Sequence, residues 1–309
     1  MESTSVRFAE SVAVQVKNPP FGLVDACPRP LIDRRAVAQS DWCNYPPRLA
    51  RKDCMRTLST GPFVLFSALA LAFLQPQPLL GEDPAPSSFA PAGDLLQQVD
   101  FFIDRAEDAL SNPAAFDLAK QSRMVKDANT LVALSLVLQS HDEAFPEKSC
   151  MPALMSAAAE LAEIEADALR GQQLLAQIKQ ARAGEASDAK KAAGTETTKA
   201  SVAALMKQVP LVHTRLQRGT RPGRLSRRPE ESAGQAATLA AMAQAALLDD
   251  EYAATPEEAA AWAEFCVQMR DAAGEVNSAI HAQDQQRVTA GMERMHESCE
   301  ACHAKFRTQ

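Results

Sequence analysis

The chain has 309 residues, enough for one large domain or two of ordinary size. Apolar residues make up 46% of it and aromatic residues only 5%, and just 12 glycines interrupt an alanine-rich sequence. This composition favours packed helices over sheets. The net charge of −7 argues against a general nucleic-acid-binding protein. We therefore expect an all-α protein.

An apolar run typical of signal peptides lies inside the chain rather than at its start. Residues 63–74 are almost entirely apolar and follow three basic residues, Arg51, Lys52 and Arg56. The run is too short for the ~30 Å hydrocarbon core of a bilayer, but it suits a secretory signal peptide. The pattern predicts export to the periplasm. The alternative is a cytosolic extension followed by an internal membrane anchor.

Translation that begins at Met55 would place this run where a signal peptide belongs. We then expect a mis-assigned extension at 1–54, a signal peptide at 55–81 and a linker at 82–92. The mature protein would have no membrane span.

Two sets of four helices are predicted, because apolar residues recur at steps of three and four. In a first domain, 93–191, the predicted helices cover 94–110, 115–139, 152–169 and 172–182, with Gly171 as a break between the last two. A linker at 192–200 leads to a second domain, 201–309, with predicted helices at 201–217, 233–248, 256–276 and 282–307. The last of these carries one apolar stripe that includes two thiols: Val288, Met292, Met295, Cys299, Cys302 and Phe306.

The strongest motif is Cys299-Glu300-Ala301-Cys302-His303. Two thiols three residues apart, with histidine directly after the second, form the attachment signature of c-type haem. Each thiol adds to one vinyl group of the porphyrin, and the imidazole binds the iron from the proximal side. Cysteine and histidine are scarce (7 and 5 of 309 residues), so a chance match is rare. The sequence predicts one covalently attached haem c, with His303 as axial iron ligand.

Two other interpretations of this motif are weaker. A thioredoxin-like redox pair should open a helix after a strand, and no strand is predicted. A tetrahedral zinc site needs a second pair of ligands, and only His296 lies nearby in the sequence.

The remaining cysteines and histidines are less informative. Cys150 and Cys266 either bridge the two domains or remain buried free thiols. Four histidines are expected at the surface: His141, His213, His281 and His296. His213, seven residues beyond Met206, is the one that could compete for the iron.

The two domains look like an internal duplication. Thr130-Leu131 matches Thr238-Leu239, and Asp142-Glu143 matches Asp250-Glu251, both at a separation of 108 residues. The same offset places the haem motif opposite 191–195, which has neither thiol nor imidazole. The alternative is that two unrelated alanine-rich stretches match by composition.

The longer ending Cys-x-x-Cys-His-x-x-Phe-Arg, on the last helix of a four-helix pattern, resembles the class II c-type cytochromes, the cytochrome c′ family. The resemblance covers 201–309 with the motif and 93–191 as a copy without it. It implies two tandem antiparallel four-helix bundles, of which only the second binds haem. It also implies that Cys299 and Cys302 carry the haem, that His303 binds iron, and that Arg307 lies near the proximal face.

In this family the first helix of the bundle covers the distal face, which corresponds here to 202–209. Leu205 or Met206 would face the iron. An apolar residue there leaves the iron five-coordinate and open to NO or CO, whereas a methionine makes it six-coordinate and suits electron transfer. Two features depart from the family: a long connection at 217–230, and Pro210, which we expect to kink the helix.

Six arginines lie in and before that connection: Arg215, Arg218, Arg221, Arg224, Arg227 and Arg228. Because glycine and proline interrupt the segment, we expect a solvated loop. The alternative is a docking site for an acidic partner.

Taken together, these patterns predict an exported mono-haem cytochrome that carries electrons or binds gas, and not an enzyme. Its redox partner would be another protein. Members of the family pair through their first two helices, so we expect either a monomer with an internal pseudo-dimer or a homodimer. The rival hypothesis is a structural or sensory helical module in which haem stabilises the bundle or reports binding.

Overall fold

The structure is a computed structural model that describes residues 84–165, 167–186, 198–249 and 251–307. These residues form eight α-helices and contain no β-strand, so the predicted all-α bundle class is confirmed. The predicted extension and signal peptide lie outside the described residues. No described helix combines the length and the apolar character needed to cross a bilayer.

The first four helices are α1 (Ala92–Leu110), α2 (Leu118–Ser140), α3 (Met151–Ala162) and α4 (Ala168–Arg182). Aspartates begin two of them. The side chain of Asp117 accepts a hydrogen bond from the backbone N–H of Lys120, and that of Asp167 accepts one from Arg170. These bonds satisfy backbone donors that the first turn of a helix leaves free.

The second four helices are α5 (Val202–Gly219), α6 (Pro229–Ala246), α7 (Pro256–His281) and α8 (Gln285–Phe306). Three of them begin with a side chain that accepts a backbone hydrogen bond in the same way: Ser201, Thr255 and Asp284. The predicted duplication stays a prediction. The four-helix plan recurs, but α3 has 12 residues and its counterpart α7 has 26.

Several helix boundaries differ from the prediction; among them, α7 continues to His281 instead of ending at residue 276. The third helix ends at Ala162 rather than near residue 169, because Asp167 starts a new helix. Gly171 therefore lies inside α4. A Cβ atom there would be 2.8 Å from Cδ1 of Ile164 and 2.9 Å from Cδ2 of Leu110, so this glycine lets α4 pack closely.

Helix α6 begins at Pro229, four residues before its predicted start. Proline suits the first helical position because its fixed φ is already helical and no N–H is needed there. Glu230 and Glu231 follow in the first turn, where carboxylates interact favourably with the helix dipole.

The first four helices close into a ring, because α1 packs against both α2 and α4, and α3 packs against both α2 and α4. In the second set, α6 packs against α5 and α7, and α7 packs against α8. Helices α5 and α8 do not close the second ring in this way.

The two sets share one apolar core. Helix α2 packs against α5 and α6, and α1 also packs against α6. Core side chains from both sets belong to a single buried cluster, among them Leu95, Leu131, Leu134, Leu205, Leu239 and Val276. The junction thus uses the first two helices of each set.

Two buried carboxylates lie between the two sets: Asp94 of α1, which accepts a hydrogen bond from Asn277 of α7, and Asp127 of α2. Asp127 of α2 is 1% exposed and accepts two hydrogen bonds from Arg105 of α1, Nε–Oδ2 at 3.0 Å and Nη2–Oδ1 at 3.2 Å. Nε2 of Gln208, on α5, donates a third at 3.0 Å. Burial raises the pKa of Asp127, and the attraction of Arg105 opposes that rise. The carboxylate therefore ties three helices together.

The prediction that His141 lies at the surface was wrong. His141 follows α2 and is fully buried. Its Nε2 is 2.9 Å from the carbonyl oxygen of Ala90, and its Nδ1 accepts a hydrogen bond from the backbone N–H of Glu143. Ala90 and Phe89, at the end of the expected linker, are buried with it. His141 thereby fixes the segment that leads into α1.

Candidate functional site

A cleft opens where α5 and α8 fail to close the second ring. Its lining is almost entirely apolar and comes from α5, α6 and α7: Met206, Val209, Pro210, Met242, Ala243, Ala246, Trp262, Phe265 and Met269. Helix α8 supplies Ser298, Cys299, Cys302 and His303 to the same cleft. The structure therefore brings the haem motif to the one open side of the second ring.

Cys299 and Cys302 are half-buried on the cleft side of α8, and His303 is exposed at its rim. Burial raises the pKa of Cys302 to about 11, with a smaller contribution from Cys299. Burial also raises the pKa of Cys299. Both side chains are thus neutral thiols at pH 7, in a largely apolar setting.

The structure separates the two distal candidates. Met206 lines the cleft opposite Cys302 and His303. Leu205 points the other way and is fully buried in the shared core. Neighbouring residues on a helix point about 100° apart, so only one of the two can face the cleft.

Pro210 also lines the cleft, and α5 continues as a helix through it. Because proline has no N–H, the carbonyl oxygen of Met206 lacks its usual helical donor. The hydroxyl of Thr214 donates to the carbonyl oxygen of Pro210 at 2.7 Å. The helix therefore carries a weakened turn beside the thiols.

Three aromatic rings form one wall of the cleft. Trp262 stacks on Tyr252, with ring centroids 5.4 Å apart, and meets Phe306 edge-on, also at 5.4 Å. The indole N–H of Trp262 donates to the carbonyl oxygen of Ala246 at 2.9 Å, which fixes the ring. Phe306 belongs to the Phe-Arg part of the motif, and its ring is thus held near Cys302.

Arg307 ends α8, and its backbone N–H donates to the carbonyl oxygen of His303 at 3.1 Å. It lines an outer cavity of about 410 Å³ together with Met206, Cys302 and His303. The inner part of the cleft encloses only about 70 Å³. The thiols, the imidazole and the apolar walls suit a porphyrin, but a porphyrin enters the inner part only if α5 moves away from α8.

The cleft also contains a third thiol, which the Cys-x-x-Cys-His motif does not predict. Cys266 of α7 is buried beside Cys302, and burial raises its pKa to about 12. Its position four residues after Trp262 puts both on one face of α7, a spacing that could have revealed it. Cys150 is also buried, and neither Cys150 nor Cys266 forms a disulfide. Of the two alternatives for these residues, buried free thiols rather than a bridge is the one that the structure shows.

His213 lies away from the motif histidine. It is half-buried. Burial lowers its pKa, and the nearby charge of His296 lowers the pKa further. Met206 and His213 are seven residues apart on α5, as are His296 and His303 on α8. The two pairs thus occupy successive levels between antiparallel helices. At the level of His303, α5 presents Met206.

The prediction of surface positions holds for His281 and His296, which are exposed.

No family model, curated protein or solved structure matches the chain.

Proposed function

We propose that this chain is an exported mono-haem c-type cytochrome of the cytochrome c′ type, and that it carries electrons. One observation supports the proposal most directly: Cys299, Cys302 and His303 of α8 lie in an apolar cleft, with Met206 of α5 on the opposite wall. Thiols and imidazole on one side and a thioether on the other are the groups that hold and coordinate haem c.

In this proposal each residue has a distinct role. Cys299 and Cys302 would hold the porphyrin by adding their thiols to its two vinyl groups. His303 and Met206, from facing sides of the cleft, would bind the iron through an imidazole and a thioether. Haem iron, when bound, supplies the Fe(II)/Fe(III) couple. The apolar wall of Trp262 and its neighbours excludes water, which favours the less charged, reduced form.

The position of Met206 favours electron transfer over gas binding. A histidine–methionine pair raises the reduction potential and leaves no open coordination position for NO or CO. Leu205, the candidate that would leave the iron open, is buried in the shared core.

The missing contact between α5 and α8 supports the same proposal. In the first ring, ion pairs join α1 to α4: Lys179–Glu107 at 2.7 Å and Arg182–Asp100 at 2.8 Å. Within the described residues, no hydrogen bond or ion pair joins α5 to α8. The part of α5 that lines the cleft can therefore move outward to admit a flat cofactor, while the bonds at Gln208 and just beyond the C-terminal end of α5 hold the rest of the helix.

We further propose that the first ring occupies the place that a second subunit takes in a homodimer of the family. Helices α1 and α2 pack against α5 and α6, the surface through which family members pair. A monomer with an internal pseudo-dimer is therefore expected, rather than a homodimer.

The test is expression from Met55 together with a c-type haem maturation system. We expect a mass increased by one haem and a colour that acid–acetone does not extract. Cys299→Ser combined with Cys302→Ser removes both, while the matched control Cys266→Ser keeps both. Colour that acid–acetone strips from the unmodified protein contradicts the proposal.

Absorption spectra then separate electron transfer from gas binding. We expect sharp low-spin bands in the unmodified protein, and a broad high-spin spectrum with CO binding in Met206→Leu. Met269→Leu, also in the cleft, is the control and should stay low-spin. Attached haem that is not reversibly reduced by a small redox protein would favour the structural or sensory module instead.

A further inference from the structure

The arginine-rich connection between α5 and α6 forms a second, unrelated pocket. Five of its lining residues are arginines: Arg215, Arg218, Arg224, Arg227 and Arg228. The pocket measures about 480 Å³. Glu231 is the only carboxylate in its lining, and it pairs with Arg228 at 3.3 Å. Arg218, Arg224 and Arg227 form no ion pair with any described residue.

This connection is more than the solvated loop that the sequence predicts. Its arginine side chains are exposed, but Leu225 between them is buried in the core. Backbone bonds from Arg224 to Arg221 (2.8 Å) and from Arg227 to Arg224 (2.9 Å) form two consecutive turns. The amide of Gln285 donates to the carbonyl oxygen of Thr220 at 2.9 Å. A fixed backbone thus presents the guanidinium groups.

The floor of the pocket contains one buried polar atom without a partner and one hydroxyl that makes no hydrogen bond within the described residues. Ser232 is 2% exposed, and its hydroxyl makes no hydrogen bond within the described residues. Gln235 is 6% exposed, and its Oε1 has no partner; as an acceptor it can receive a hydrogen bond only from a donor such as a guanidinium group or a protonated oxyanion. Gly219 keeps this floor open, because a Cβ atom there would be 2.4 Å from Oγ of Ser232. Buried polar groups without partners are uncommon in native proteins and call for a specific reason.

The local charge is positive and only partly compensated, by Glu231 and, at Arg215, also by Asp127. Burial lowers the pKa of Arg215, and the nearby charge of Arg105 lowers it further. The guanidinium of Arg215 lies 5.1 Å from the ring centroid of Phe101, so its place is fixed. Helix α6 begins at the same place, and its first turn adds the partial positive charge of a helix N-terminus.

We propose that this pocket binds a compact, multiply charged oxyanion with a phosphate group. The guanidinium groups would bind its oxygens in pairs, and the hydroxyl of Ser232 would donate to an oxygen at the floor. A small anion fits better than an acidic protein surface, because an acidic surface would meet the exposed arginines without reaching Ser232. None of the pocket's residues lines the cleft on α8, so the site does not depend on haem.

The test is isothermal titration of the whole mature protein with inorganic pyrophosphate at constant ionic strength. Arg224→Gln combined with Arg227→Gln should weaken binding at least about tenfold, because each removes a charge-assisted hydrogen bond. Arg221→Gln is the matched control. It removes the same charge from the same turn, but Arg221 does not line the pocket, so binding should fall less than about twofold.

Ser232→Ala provides a second, independent test. We expect binding to weaken by about threefold to tenfold while the melting temperature stays unchanged, because this hydroxyl has no partner to lose in the free protein. Unchanged affinity in Ser232→Ala would contradict the proposed floor.

Two other outcomes overturn the proposal. An equal loss of affinity in Arg221→Gln would show that only diffuse positive charge attracts pyrophosphate. Binding of a polyglutamate peptide without binding of pyrophosphate would instead identify a docking site for an acidic protein.

Discussion

The two sets of helices differ in how the first helix meets the last. In the first set, α1 and α4 pack directly and are joined by two ion pairs and by a bond of 2.8 Å from the amide of Gln172 to the carbonyl oxygen of Leu110. In the second set, α5 and α8 leave a cleft that contains three thiols. The same four-helix plan thus gives a closed core in the first set and an open cleft in the second.

The difference lies in side-chain choice rather than in topology. The closed set places Gly171 where two helices approach, so that leucine and isoleucine side chains fill the gap. The open set lines the corresponding space with methionine, cysteine and a proline that lacks a backbone donor. An open cleft costs packing energy that a bound cofactor can restore.

The largest effect on stability is expected in the closed set. Leu174→Ala removes a fully buried side chain from α4 and should lower the free energy of unfolding by about 2–5 kcal/mol. Val209→Ala, in the cleft of the haem-free protein, should cost less than about 1.5 kcal/mol, because its side chain is only half-buried. Urea unfolding of both variants measures the difference. Equal losses would mean that the cleft is packed as tightly as the core.

Arg105→Gln should lower the free energy of unfolding by about 3 kcal/mol at pH 7, because it leaves Asp127 ionised and buried with its main partner gone. Loss of Arg105 also raises the pKa of Asp127 further above its unfolded value of 3.8. The native carboxyl then binds a proton before the unfolded one does, so the deficit shrinks as the pH falls towards that raised pKa.

Urea unfolding at pH 7 and at about pH 4.5 checks this sign. The control is Arg170→Gln, which removes an exposed ion pair with Glu160 in the first set and should cost less than about 1 kcal/mol. A deficit that grows on acidification would show that Arg105 does not serve mainly to compensate Asp127.

Gly171→Ala tests the close approach of α4. The added Cβ must displace Ile164 and Leu110, which should cost about 1–3 kcal/mol, partly offset by the higher helix propensity of alanine. Gly93→Ala, where nothing lies within 4 Å of the added atom, is the control and should be neutral or stabilising. Thermal unfolding distinguishes the two, and a stabilising Gly171→Ala would contradict tight closure.

The smallest effect is expected for Trp262→Phe in the wall of the cleft. It removes the indole N–H and leaves the carbonyl oxygen of Ala246 without that donor, at a cost of about 1 kcal/mol. Tyr252→Phe should be within about 0.5 kcal/mol of the unmodified protein, because Tyr252 is exposed. Chemical denaturation of the haem-free protein measures both, and equal effects would deny the indole bond any role.

Local sequence was sufficient to predict the helices and the grouping of the thiols on one face. Apolar residues recur at steps of three and four residues, and Thr255 caps the helix that follows it. Both features depend only on near neighbours along the chain. The start of α6 was missed because Pro229 appeared to belong to a loop, although proline is equally suited to a first helical turn.

Features that arise between helices could not be predicted in the same way. Nothing local to His141 shows that Ala90 lies against it, and nothing near Cys266 shows that Cys302 packs beside it. The choice between Leu205 and Met206 likewise depends on where α2 packs, because that side of α5 is covered by the first set.

The hydrogen bond from Gln208 to Asp127 restricts how α5 can move when a cofactor enters the cleft. Sliding the helix along its axis by one turn would withdraw that amide and leave a deeply enclosed carboxylate with one donor fewer. Rotation of α5 about Gln208 keeps this hydrogen bond intact while the ends of the helix move. Helix α5 should therefore pivot about Gln208, whose partner Asp127 belongs to the first set of helices.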